Sequence, residues 1–178
     1  MENRFNVAGR KAFVTGASRG IGRAIAMALA ESGADVAINY NSKFDSGIGV
    51  PDASESFIEE AQSNGVKAYA IEGDLSIDGA MNEIYDRALG ELGQIDILVS
   101  NANIQIVSLF EDVTTEDIDL QCRMNYRIPI QLLQRAMPPM ADRGWGRVLT
   151  IGSINQANPI IELAVYAGLK SAQYNLVK

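Results

Sequence analysis

Short, nearly continuous apolar runs, such as those at residues 13–15 and 95–99, alternate along this chain with stretches whose apolar residues recur every three or four positions. Such runs predict strands covered on both faces, and the 3.6-residue period predicts amphipathic helices between them. The pattern places strands at residues 11–15, 35–40, 66–71, 95–99 and 146–151. Helices are expected at 20–32 before Gly33, at 53–63 before Asn64-Gly65, at 77–92 before Gly93, and from 165 onward. Thr114 and Asp117 form a capping box for a long helix reaching about Ala141. Residues 41–51 are polar and glycine-bearing and read as a loop. The first helix carries Ile21, Ile25, Ala28 and Leu29 at i, i+4, i+7 and i+8 as its apolar face.

Strands separated by helices imply parallel βαβ units with right-handed crossovers. The expected fold is therefore α/β, a doubly wound parallel sheet of the Rossmann kind in a single domain over residues 1–178. Ligands of such sheets lie outside the carboxyl ends of the strands, here near the switch between the first and fourth. The 178 residues, 47% hydrophobic, suit one ordinary globular domain. A net charge of −7 argues against a general nucleic-acid or anionic-membrane surface. No apolar run approaches membrane-spanning length and the first residues lack a signal-peptide block, so a cytoplasmic location is expected. The single Cys122 has no partner for an internal disulfide, and the lack of histidine removes Ser-His-Asp chemistry and histidine-held metals; no metal site is expected.

The turn Gly16-Ala17-Ser18-Arg19-Gly20-Ile21-Gly22 joins the first strand to the first helix. Glycines there permit unusual backbone angles and close approach of a ligand, and the free N–H groups of the helix start favour an anion such as a pyrophosphate. A tight strand–helix connection without any ligand would look the same. Near the other end, Tyr166 and Lys170 lie at i and i+4 and share one helix face. A free phenol releases its proton only near pH 10, and a neighbouring ammonium favours the phenolate, bringing proton transfer into a useful range. Alone, the pair also suits the polar side of an amphipathic helix. Pro129, four residues beyond Asn125, has no N–H for the Asn125 carbonyl, which predicts a kink and a released carbonyl able to hold a water; a simple packing kink is the other reading.

Taken in order, these motifs resemble those of the short-chain dehydrogenase/reductase family over nearly the whole chain. Thr15-Gly16-Ala17-Ser18-Arg19-Gly20-Ile21-Gly22 matches TGxxxGxG, Gly73-Asp74-Leu75 resembles the adenine-contacting aspartate, and Ser100-Asn101-Ala102-Asn103 resembles NNAG. Asn125, Ser153 and the YxxxK of Tyr166 and Lys170 follow with separations of 28 and 13 residues, those the family uses. The resemblance implies hydride transfer between NADP(H) and a carbonyl or alcohol substrate of 3-oxoacyl, sugar or other ketone type. It assigns Tyr166 the proton, Lys170 its tuning and the nicotinamide ribose, Ser153 the substrate oxygen, and Asn125 a relay water. Cofactor contacts are implied for Gly16, Ser18, Arg19, Gly20, Ile21, Gly22, Tyr40, Asn41, Ser42, Asp74, Leu75, Asn101 and Ala102, with Tyr166 and Lys170. After the second strand no carboxylate occurs until Asp45, while Arg19 and Lys43 are placed to embrace a 2′-phosphate; hence NADP(H) is preferred, and NAD(H) is possible if both are only solvated charges. The family's habit of assembling through the helices of Asn125 and Tyr166 implies a homodimer or homotetramer.

The sequence departs from the pattern in three places. Asn103 replaces a glycine, with asparagine expected to tolerate the left-handed backbone there. Residues 44–52 lengthen the loop after the second strand, beside the expected adenosine phosphate. The chain ends at Lys178, inside the helix of Tyr166 and before two further family strands and a lid, which suggests a piece of a longer protein. A nucleotide-binding or scaffold protein that kept the fold without turnover is the alternative from another class.

Overall fold

Five parallel strands, β1 (Lys11–Val14), β2 (Asp35–Tyr40), β3 (Ala68–Glu72), β4 (Ile97–Ser100) and β5 (Arg147–Thr150), lie in the order β3-β2-β1-β4-β5 in the computed structural model, which describes residues 6–178. Strand order reverses between β1 and β4, where Val14 stands opposite Val99. The crevice of the sheet therefore opens at the carboxyl ends of these two strands, as the alternating pattern predicts.

Alternate residues of each strand feed two cores. Ala12, Val14, Val36, Ile38, Ile97 and Val99 pack under α1 (Gly20–Glu31) and α3 (Ala53–Gln62) with Phe57. Phe13, Ala37 and Leu98 face the other way, under α4 (Ala80–Leu92) and α6 (Ile128–Asp142), with Tyr85 and Leu132. Phe13 meets Tyr85 edge to face, ring centroids 6.2 Å apart, so an unbroken apolar run becomes one strand serving two layers.

Three elements differ from the sequence reading. Residues expected to form a loop include a short helix, α2 (Ser42–Gly47), because the Asn41 side chain accepts the Phe44 N–H at 3.1 Å and caps it. The long helix is divided into α5 (Thr115–Cys122), a π-helical turn at Arg123–Arg127, and α6. Pro129 falls in the first turn of α6, where a missing N–H is harmless, and the Ile128 N–H reaches back five residues to Arg123 O. The predicted kink is thus a widened turn. The expected capping box of Thr114 and Asp117 forms, with the Asp117 N–H donating to Thr114 Oγ1 at 3.1 Å.

The third difference is the buried face of α1. Gly22, Ala26 and Ala30, spaced by four, lie against the sheet, while Ile21 is 64% exposed. Small side chains let the helix approach the strands closely; Ile25 and Leu29 are half-buried against the margin of this core and, with Ala28, line an open apolar hollow with Trp145 and Leu149. The last helix, α7 (Ala164–Leu176), packs against α5 and the π turn. Among the described residues, no helix is long and apolar enough to cross a membrane and no cluster suits a metal ion.

Phe13→Ala is expected to cost about 3–5 kcal/mol of stability, because it empties a fully buried site between two layers. A urea-unfolding midpoint unchanged from the parent would contradict this layering.

Candidate active site

The turn after β1 is built by glycine backbone and tied by buried polar side chains. Gly16 and Gly20 have φ of 61° and 57°, open to glycine at little cost. A Cβ on Gly22 would stand 2.5 Å from both Asn101 Nδ2 and Gly16 O, so the helix start leaves no room for one. Asn101 Nδ2 donates to Thr15 O at 2.9 Å and Gly16 O at 2.8 Å. Thr15 Oγ1 accepts the N–H groups of Asn101 and Ala102, each at 3.1 Å. Asn39, at 2% exposure, donates through Nδ2 to Gly73 O at 2.9 Å, and its backbone carbonyl accepts the Ala17 N–H at 2.9 Å. Three strand ends are thereby clamped around one turn. Thr15 and Asn39 received no role from the sequence; only their burial between strand ends reveals it.

A cleft of about 380 Å³ opens above this turn. Of the sequence-derived contacts, Gly16, Ser18, Arg19, Gly20, Ile21, Gly22, Tyr40, Asn41, Asp74, Leu75, Asn101 and Ala102 line it. Asn39, Phe44, Asp45, Gly73, Ser76, Asn103, Ile104 and Met124 complete the wall. Ser42 stands outside the lining, its hydroxyl turned to the Glu72 carboxylate, and Lys43 is exposed and away from it. Asp74 Oδ1 accepts the Ser76 N–H at 2.8 Å, which fixes the loop after β3. Asn103 does not adopt a left-handed backbone, since among the described residues only glycines have positive φ; its Nδ2 instead donates to Asn101 O at 3.0 Å.

This cleft suits a dinucleotide phosphate. Arg19 occupies the N-cap position of α1 without a side-chain cap bond, and no acidic residue stands in the first turn, so the N–H groups there remain free for an anion. Nothing within 4 Å would meet a Cβ on Gly20, which leaves open space against the cleft.

Asn125, Ser153, Tyr166 and Lys170 stand beyond the cleft lining. Tyr166 and Lys170 are buried on one face of α7, with Lys170 Nζ 5.7 Å from the Tyr166 ring centroid. Lys170 Nζ donates to Ile151 O at 2.7 Å and Gln173 Oε1 at 3.2 Å. Burial disfavours its charge and lowers its pKa from the usual 10.5 to about 8. Ser153, half-buried after β5, accepts the Asn155 N–H on Oγ at 3.2 Å and donates its own N–H to Gln156 Oε1 at 3.3 Å. Ser171 Oγ donates to Gln156 O at 2.7 Å and ties this turn to α7.

Asn125 is 1% exposed in the π turn, and its side chain grips one residue twice. Its Oδ1 accepts the Ile104 N–H at 3.0 Å and its Nδ2 donates to Ile104 O at 2.7 Å. Because Ile104 lines the cleft and α7 packs on the π turn, Asn125 joins the two halves of the site. Sequence reasoning assigned this residue through its carbonyl; the paired side-chain contact is set by the path of the chain after β4.

Known proteins match this arrangement. The family model for short chain dehydrogenase matches residues 10–178. A hydroxynaphthalene reductase-like protein, Arp2, of Metarhizium majus is 34% identical over 168 residues, covering 94% of this chain and 60% of the relative. The crystal structure of a 3-oxoacyl (acyl-carrier-protein) reductase from Agrobacterium tumefaciens C58 with NADP bound is 40% identical with a TM-score of 0.86, over 97% of this chain and 63% of that one. A blue fluorescent protein from a metagenomic library in complex with NADPH is 33% identical with a TM-score of 0.86, over 96% and 67%. The chain thus spans about 60% of the length of the curated relatives it matches.

Gly22→Ala is expected to cost about 1–3 kcal/mol, by forcing a methyl group onto Asn101 and the Gly16 carbonyl. Thermal unfolding at the parental temperature would show that the turn has more room than its geometry allows.

Proposed function

Because the chain belongs to the short-chain dehydrogenase family, we propose that it forms the dinucleotide-binding and proton-transfer core of an NADP(H)-dependent oxidoreductase acting on a carbonyl or alcohol. The observation that carries this reading is the buried Tyr166–Lys170 pair on a helix packed against the π turn, which in turn holds the wall of a glycine-lined cleft. The NADP and NADPH found in two similar structures support the cofactor class.

When bound, NADP(H) supplies or accepts the hydride exchanged with the substrate carbonyl carbon. The free N–H groups at the start of α1, Gly20–Gly22, hold its pyrophosphate with Gly16 and Ser18 lining the turn beside it, Asp74 and Leu75 take the adenine, Tyr40 and Asn41 flank the ribose, and Arg19 meets a 2′-phosphate. Asn101 and Ala102 floor the cleft towards the nicotinamide. Tyr166 gives its hydroxyl proton to the substrate oxygen in reduction and takes it back in oxidation. Lys170 keeps a cation beside that ring, anchored by the Ile151 carbonyl and Gln173, with one of its three N–H donors left for the nicotinamide ribose. Ser153 orients the substrate oxygen, and the Asn125 backbone carbonyl, in the widened turn, holds a relay water. The substrate is a ketone, 3-oxoacyl or sugar-type carbonyl compound, or the corresponding alcohol. The protein assembles as a homodimer or homotetramer through the helices of Asn125 and Tyr166, where Met137 on α6 and Tyr174 on α7 are exposed; light scattering showing only monomer would refute that assembly.

The full-length protein, given NADPH with a panel of 3-oxoacyl esters, ketoses and quinones, is expected to consume cofactor. Tyr166→Phe should lower that rate by about 10²–10⁴-fold, the range of general acid catalysis. An undiminished rate would refute the mechanism, and NADPH binding without turnover across the panel would favour a non-catalytic nucleotide-binding role.

The pH dependence has a definite sign. Lys170 carries its charge well below its pKa of about 8 and loses it as the pH rises through that value, so reduction should slow on the alkaline side. Lys170→Arg, whose guanidinium stays protonated, is expected to move this limb upward. A pH–rate profile with the same alkaline limb in both proteins would separate the limb from Lys170.

A further inference from the structure

The short helix α2 puts a carboxylate where the sequence shows only a loop. Asp45 lines the cleft, is 3% exposed, and has Oδ1 3.6 Å from Arg19 Nε. Its Oδ2 is buried with no hydrogen-bond partner. Phe44, the residue before, lies under the same guanidinium, with Arg19 Cζ 4.8 Å from its ring centroid. The cation available to a 2′-phosphate is therefore already held by an acid on one side and an aromatic face on another.

Two forces follow from this placement. A phosphate entering beside Arg19 competes with Asp45 for that guanidinium and meets a like charge in a partly dry wall, where charges are poorly screened. A ribose bearing a free 2′-hydroxyl brings no such charge, and a buried carboxylate oxygen without a donor favours a ligand that supplies one. We propose that Asp45 competes with the 2′-phosphate for Arg19, so that the site admits NAD(H) beside NADP(H) and discriminates less than Arg19 alone would. The proposal rests on the nucleotide-binding reading of the cleft and names the residue that tunes its choice. The competing acid comes from α2, after β2 has ended, so inspection of the last residues of β2 does not find it.

The test is binding rather than turnover. Fluorescence titration of the full-length protein with NADPH and NADH, and competition by adenosine 2′,5′-bisphosphate and adenosine 5′-monophosphate, read the adenosine half separately from the nicotinamide half. Asp45→Asn, nearly the same shape, is expected to tighten NADPH and the bisphosphate by about tenfold relative to their unphosphorylated counterparts. In an Arg19→Met background that gain should shrink to about twofold or less, as a coupling between the two residues requires. Asp45→Ser serves as a second variant, with thermal unfolding to confirm that each protein is folded. An NADPH-to-NADH preference unchanged by both substitutions, or a gain that persists without Arg19, overturns the competition while leaving the cofactor site standing. Failure of the parent to bind any of the four nucleotides overturns the site and the competition together.

Discussion

The backbone of the turn after β1 has to be satisfied without water, and the carboxyl edge of the sheet is arranged around that need. A left-handed glycine turn between two strand ends leaves carbonyls that neither the sheet nor the helix can reach. Asn101 takes two of them, at Thr15 and Gly16, while Asn39 takes that of Gly73 and Thr15 binds the backbone after β4. An unpaired polar group at such depth costs roughly 1–3 kcal/mol, so these bonds act mainly by preventing a loss. Their result is a rigid turn whose remaining free donors, at the start of α1, all face the cleft.

A second polar group is buried for a different purpose. Lys170 is nearly inaccessible, and the loss of hydration weakens its hold on the proton until its pKa falls to about 8. It is held by a backbone carbonyl and an amide oxygen, neither of them charged. A carboxylate partner would stabilise the ammonium but would also cancel its field at Tyr166. Neutral acceptors hold the ammonium 5.7 Å from the Tyr166 ring without setting an opposite charge beside it.

The π turn touches both regions: Asn125 bonds the cleft wall at Ile104, and α7 packs on the turn. Asn125 lies in the π turn just before Pro129, where the helical ladder widens instead of breaking. Asn125 is thus turned to pair both ways with the Ile104 backbone, binding the cleft wall to the helix layer on which α7 rests. Elsewhere in the same wall, α2 brings an acid against Arg19. Fixed backbone donors, a clamped wall and an ion pair therefore meet in one crevice.

The strands and their parallel direction were legible because apolar runs and period-3.6 patterns arise from local geometry, and most of the lining of the cleft was legible because glycine spacing and helix starts are local too. Tyr166 and Lys170 were legible as a pair for the same reason, being one helical turn apart. What tertiary structure decided was everything set by contact at a distance. It chose Gly22, Ala26 and Ala30 over Ile21 as the buried face of α1, since closeness to the sheet, and not hydrophobicity alone, governs that packing. It drew Asn103 back onto Asn101, turned Ser42 to Glu72, and folded Asp45 into the wall through a helix capped by Asn41. Local spacing determines which side chains share a face; only the closing of strand ends and loops on one another decides which charge each of them meets.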